Sequence, residues 1–153
     1  MTAAYLDDYR GKVIQTHLPG LTPKLSNKLF GSDGRLSEFG VKIDLSKAIG
    51  VVDADSHADL ILIARVRNRF AHNIHINSFS DEPISDFCNK MRYANNFIDK
   101  GIPLVGPEGI IRIKADPPYG VDEKGRFKLT AMAHCSEFHN RLNHLSQGEK
   151  PKS

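Results

Sequence analysis

Leu60-Ile61-Leu62-Ile63-Ala64 is the segment that most restricts how this chain can fold. It sits inside a longer pattern that starts at Asp53 or Asp55 and runs to about His72. Leu60, Ile61, Ile63, Ala64 and Phe70 supply its apolar positions, and the length of the pattern argues for a helix over a short strand. A helix that is apolar all round is one buried on all sides. Other elements must then pack around it.

The flanking sequence offers those elements. Residues 3–18 carry Leu6, Tyr9, Val13 and Ile14 at helical spacing, and Pro19-Gly20 stops the pattern. This helix begins almost at Met1 without a cap, as would a helix that has lost an N-terminal portion. Thr22-Pro23 reads as an N-cap followed by proline in the first turn, leading a short helix through Leu25 and Leu29. Gly31-Ser32-Asp33-Gly34 is a turn cluster. Ser37 is placed to cap a helix with Val41, Leu45, Ala48 and Ile49 on its apolar side and Lys42, Asp44 and Lys47 on its polar side, ended by Gly50. Ser80 and Pro83 open a helix whose stripe is Ile84, Phe87, Cys88, Met91 and Ile98, ended by Gly101. Residues 102–125 are rich in Gly and Pro, with Ile110-Ile111-Arg112-Ile113 as a short strand or extended pairing segment and Glu123-Lys124-Gly125 as a turn. A last helix from about Arg126 to Leu145 places Phe127, Ala131, Cys135, Phe138, Leu142 and Leu145 on one face.

The predicted fold is therefore all-α. It is a bundle of about four long helices and a short one, with an irregular Gly/Pro-rich segment before the last helix. One domain is expected over residues 1–145, with a disordered polar tail over 146–153.

Composition narrows the function classes. The net charge of +3 in 153 residues permits contact with nucleic acid without demanding it. No apolar run approaches the ~20 residues of a membrane span, so no membrane association is expected. The N-terminus is acidic and lacks the apolar core of a signal peptide, which places the protein in the cytoplasm. Cys88 and Cys135 fall within helical patterns and read as small buried hydrophobes, not as a disulfide.

The chemistry is concentrated at the end of the central helix, in Arg67-Asn68-Arg69-Phe70-Ala71-His72. Arg65, Asn68, Arg69 and His72 are offset by three, four and seven residues and share one helical face. Arg67 and His72 are ~140° apart on an ideal helix. They cooperate only if the helix end is distorted or if two protomers build a composite pocket across a two-fold axis. These are the side chains a metal-free ribonuclease would use. His72 would act as general acid or base, Arg67 or Arg65 would stabilise the charge building on phosphorus, and Asn68 would orient the histidine or hold a phosphate oxygen. Arg65 and Arg69 would bind RNA. No metal and no cofactor are required. The same residues also make an ordinary helix ending, because cations favour a C-terminus and His72-Asn73 can serve as a cap.

Other constellations are weaker. His72 and His75 are not joined by the further ligands a zinc site needs, so no metal site is expected. Residues 101–109 have glycine-rich spacing without the lysine of a phosphate-binding loop. His134, His139 and His144 scatter around the last helix and read as solvated or satisfied. Arg10, Lys12, Lys24 and Lys28 read as a basic patch on a solvated face.

Two segments carry a family resemblance: Leu29-Phe30-Gly31-Ser32-Asp33-Gly34-Arg35-Leu36-Ser37-Glu38-Phe39 and Lys42-Ile43-Asp44-Leu45-Ser46-Lys47-Ala48-Ile49-Gly50. Together they resemble the mannitol operon repressor family, over roughly residues 5–91 and weakly into the last helix. The run from Arg67 to His72 also resembles the signature of the HEPN superfamily, an arginine, a polar residue and a histidine four to six positions on. That resemblance implies an all-helical, dimeric protein with the motif at the subunit interface, and in many members a metal-independent endoribonuclease. By position it matches Arg67, Asn68 and His72, and the spacing from Arg65 to His72 fits as well. The position two after the histidine, tyrosine in members regulated by nucleotidylation, is Ile74 here. The repressor resemblance implies a transcriptional regulator. No helix-turn-helix with a basic recognition helix is evident, so such a regulator would act through a protein partner. A homodimer, RNA and a protein partner are thus the expected partners. A helical interaction module with a purely structural motif is the third alternative.

Overall fold

The computed structural model describes residues 2–100, 102–106, 109–113 and 122–146. Seven helices and one hairpin are present among them: α1 (Thr2–Thr16), α2 (Pro23–Phe30), α3 (Phe39–Ala48), α4 (Ala54–His72), α5 (Ile84–Asn89), α6 (Arg92–Lys100), β1 (Ile102–Gly106), β2 (Gly109–Ile113) and α7 (Glu123–Ser146).

The central helix is buried in part, not on all sides. Leu60 and Ile63 of α4 are fully buried, and Ile61, Leu62 and Ala64 are partly buried against the core. Helices α3, α5, α6 and α7 all pack on α4, while α1 packs on α7 and α3. One core joins Leu6 and Val13 of α1, Ile43 of α3, Leu60, Ile63 and Val66 of α4, Ile84 and Cys88 of α5, and Ala131 and Phe138 of α7. At ~1.5–3 kcal/mol per fully buried large side chain, this shared interior is what holds the helices together.

The class is helical, as the periodicity predicts, but only α1, α4 and α7 exceed a dozen residues. The long helix expected from Ser80 is two helices. The Asp59 side chain on α4 supplies the reason. Its carboxylate accepts the backbone N–H groups of Arg92 (2.7 Å) and Tyr93 (2.9 Å), two donors that a continuing helix would pair internally. Asp59 therefore caps a new helix from outside and lets the chain turn at Met91.

Other boundaries differ in instructive ways. Thr22 caps α2 as expected, its hydroxyl accepting the Leu25 N–H. Glu38, not Ser37, is the N-cap of α3, and no side chain caps that end. The buried face of α3 is Phe39, Lys42, Ile43 and Ser46, whereas Val41 is exposed. Lys42 faces inward because Asp7 of α1 accepts its ammonium at 3.0 and 3.1 Å. Residues 123–125 begin α7 instead of forming a turn. Val105 pairs with Ile110 in the antiparallel hairpin of β1 and β2, so the Ile110–Ile113 segment is a strand. The predicted stop at Gly101 and the tail beyond Ser146 lie outside the described residues.

The turn before α3 is closed too tightly for side chains. A Cβ on Gly31 would stand 2.4 Å from the Asn27 carbonyl oxygen, and one on Gly34 only 2.2 Å from that of Leu29. Gly34 is itself buried, and the Leu29 carbonyl accepts the Leu36 N–H (2.8 Å) across it.

Candidate functional site

The last turns of α4 are held in rotation by their apolar side. Val66 is buried, and the Phe70 ring lies 4.9 Å from that of Phe79, which lies 5.4 Å from that of Phe127 at the start of α7. This aromatic ladder fixes which face of the helix end meets water. Arg65, Asn68, Arg69 and His72 are left exposed on one side, and Arg67 and Ala71 are exposed as well.

Those four side chains, with Phe87 of α5, line an open groove of about 520 Å³. The Arg65 guanidinium carbon is 5.8 Å from the centre of the Phe87 ring. None of the five lining residues is acidic. Asp86, the carboxylate next to Phe87 in sequence, is taken by Lys90 at 2.7 Å. Among the described residues, the side chains of Asn68, Arg69 and His72 form no hydrogen bond or ion pair within the fold. The helix end at His72-Asn73 is capped as an ordinary C-terminus, with Asn73 as the cap residue. The Asn73 N–H donates to the Arg69 carbonyl (3.0 Å), and its side-chain oxygen accepts the His75 N–H (3.0 Å).

Arg67 is not in this groove. It lies ~200° around the helix from Arg65, and its guanidinium carbon is 5.3 Å from the Phe39 ring on the other side of α4. The same ring carries Arg10, whose guanidinium carbon is 4.2 Å from its centre. The pair that the sequence motif couples, Arg67 and His72, is thus separated within one chain. Arg65 and His72 are the pair the fold brings together. Phe87 was read from sequence only as part of an apolar stripe, and its place in the groove depends on α5 folding back against α4.

Two further polar clusters lie beneath the surface. Arg10 is fully buried, a correction to the solvated patch expected of it. Its guanidinium donates to Asp7 (2.9 Å) and to the Phe39 carbonyl (3.2 Å). Burial lowers its pKa to about 10, with Asp7 opposing the drop, so it is charged at neutral pH. Lys12, in contrast, is exposed and paired with Asp8.

His134 of α7 is buried as well, with Nε2 3.8 Å from Asp59 and Nδ1 3.7 Å from Glu137. Burial works against its charge, yet the two flanking carboxylates outweigh it and the pKa is raised. The Glu137 carboxyl is correspondingly held low, first by His134 and then by Arg141. His134 is therefore a buried ion-pair partner, not a surface residue, and its Nε2 faces Asp59 without a hydrogen bond.

Both cysteines are held in the thiol form: burial pushes Cys88 up to about 12 and raises Cys135. Among the described residues no three His, Cys, Asp or Glu side chains converge as a metal site, and no helix is long and apolar enough to cross a membrane.

Comparison with known families is informative over the middle of the chain. The model of the mannitol repressor family matches residues 26–104, more than half of the sequence. The chain belongs to that family. The matched segment contains the tight glycine turn, α3, all of α4 and the whole of the groove. No match was found among curated proteins or among solved structures.

Proposed function

We propose that this protein is a regulator of the mannitol repressor type that binds RNA through its phosphates in the α4 groove. The observation that carries this reading is the grouping of Arg65, Asn68, Arg69 and His72 in one exposed groove where no carboxylate balances them. Guanidinium groups suit phosphate because their planar donors match its oxygens. Two spare guanidiniums beside an amide and an imidazole favour a phosphate strand over an apolar protein surface as the partner. A repressor family member acting without a DNA-reading helix would need some other contact with genetic control, and RNA would supply one.

Fluorescence anisotropy with a labelled RNA oligonucleotide tests the reading. Binding by the wild type, and its loss in an Arg65→Gln, Arg69→Gln double variant that melts at the wild-type temperature, supports it. Equal affinity in both proteins removes the groove from the contact.

A second reading is catalytic, and the shared groove of Arg65 and His72 favours it. The ribose 2′-oxygen would attack phosphorus as its proton passes to a base. The P–O5′ bond would break and His72 would deliver a proton to O5′, leaving a 2′,3′-cyclic phosphate and a 5′-hydroxyl. Arg65 would stabilise the charge on the phosphoryl oxygens. Arg67 would take that part only when supplied by a second copy across a two-fold axis. RNA cleavage in EDTA by the wild type, lost in His72→Ala, would establish this chemistry. Cleavage by neither protein, or by both equally, would remove it.

A further inference from the structure

We propose that the α4 groove selects unpaired RNA, with one base lying against Phe87 and the flanking phosphates on Arg65 and Arg69. The proposal rests on the phosphate-binding reading of the same groove and adds to it the strandedness of the partner.

Two observations lead there. The first is the aromatic floor. Four of the five lining residues are polar, and the fifth is a phenylalanine with a guanidinium 5.8 Å from its ring centre. A phosphate needs the cations but gains nothing from the ring. A base gains from both, since it stacks on an aromatic face and is attracted to the arginine beside it. In a duplex each base already has neighbours above and below, and that face is closed to the protein.

The second is the position of α4 in the core. An RNA duplex has a deep, narrow major groove that side chains cannot read, so a protein meets it across its wide, shallow minor groove. The α4 helix offers little to such a surface, because Leu60, Ile63 and Val66 hold its opposite side in the core and four other helices pack on it. A duplex could meet only the outer rim of this helix. The stripe from Arg65 to His72 rises ~10 Å along the axis, a small part of the ~16 bp that a double-stranded-RNA-binding domain spans. The open groove, of about 520 Å³, has room for a nucleotide but not for a duplex.

The test uses the full chain and three ligands: a labelled unstructured 12-nucleotide RNA, the same strand annealed to its complement, and inorganic polyphosphate as competitor. The single strand is expected to bind at least about tenfold more tightly than the duplex, the scale of one stacked base. Phe87→Leu is expected to lower single-strand affinity by about the same factor and to leave polyphosphate competition unchanged. Phe87→Tyr, which keeps the aromatic plane, is expected to bind as the wild type does. Equal binding of single strand and duplex by the wild type overturns the proposal without any variant. So does a correctly folded Phe87→Leu protein with undiminished single-strand affinity. In both cases continued competition by polyphosphate leaves the phosphate-binding reading standing. Failure of the wild type to bind either RNA or polyphosphate overturns both.

Discussion

Asp59 and His134 face each other in the interior, the carboxylate of α4 lying 3.8 Å from the imidazole of α7. Asp59 also accepts the first two N–H groups of α6, so one buried carboxylate ties three helices together. Asp59→Ala is expected to lower stability by about 3 kcal/mol, the usual scale for removing one partner of a buried charge pair. Asp59→Asn, which keeps an accepting oxygen for α6, should cost less. Asp55→Ala, which removes only an exposed partner of Arg92, should stay within ~0.5 kcal/mol. Urea denaturation of the three variants checks the order.

Stability should also depend on pH through His134. Its pKa is higher folded than unfolded, so the folded state binds the proton more tightly. The stabilisation is then complete below the unfolded value of 6.5 and is lost as pH rises through the folded one. Melting temperature is expected to fall as the buffer is raised from pH 6 through mild alkalinity, and His134→Gln should flatten that part of the profile. An unchanged profile in His134→Gln would assign the dependence to another group.

The glycine turn offers a steric test. Gly34→Ala would bring a methyl group to 2.2 Å from a backbone oxygen, which the turn can relieve only by opening. A loss of several kcal/mol is expected, at the upper end of single-substitution effects. Gly20→Ala meets no atom within 4 Å and should be neutral or gain up to ~1 kcal/mol through the unfolded chain. Thermal melts by circular dichroism distinguish the two.

Salt and substitution together separate the two sides of α4. Each phosphate contact to a single strand contributes about 0.7 to the slope of log affinity against log salt. Arg69→Gln should therefore reduce the slope by about 0.7 with little change in melting temperature. Arg67→Ala should leave slope and affinity as they were, because Arg67 lies over Phe39 and not in the groove. A slope change for Arg67→Ala would require its contribution across a subunit interface.

The sequence made the main helices and the polar face of α4 legible because both are local properties of spacing. The offsets of Arg65, Asn68, Arg69 and His72 put them on one side of a helix wherever that helix packs. The same arithmetic separated Arg67 from His72, and the fold keeps them apart. Tertiary relationships were not legible. Nothing near Ser80 announces that Asp59, some thirty residues earlier, will divide the following helix. Arg10 and Lys42 read as surface cations because their burial depends on Asp7 and Phe39, which only the packed helices bring close. Phe87 had the pattern of a core residue, and half of that description holds, since it packs against the core while also lining the groove.

The family match ends before α7 and begins after α1. Yet those two helices carry His134 opposite Asp59, Phe127 at the foot of the aromatic ladder and Arg10 against Phe39. The stretch most diagnostic of ancestry therefore leans on contacts from outside it. Excised alone, residues 26–104 would carry every groove residue but lose the side chains that aim them, so lineage and foldability have different boundaries in this chain.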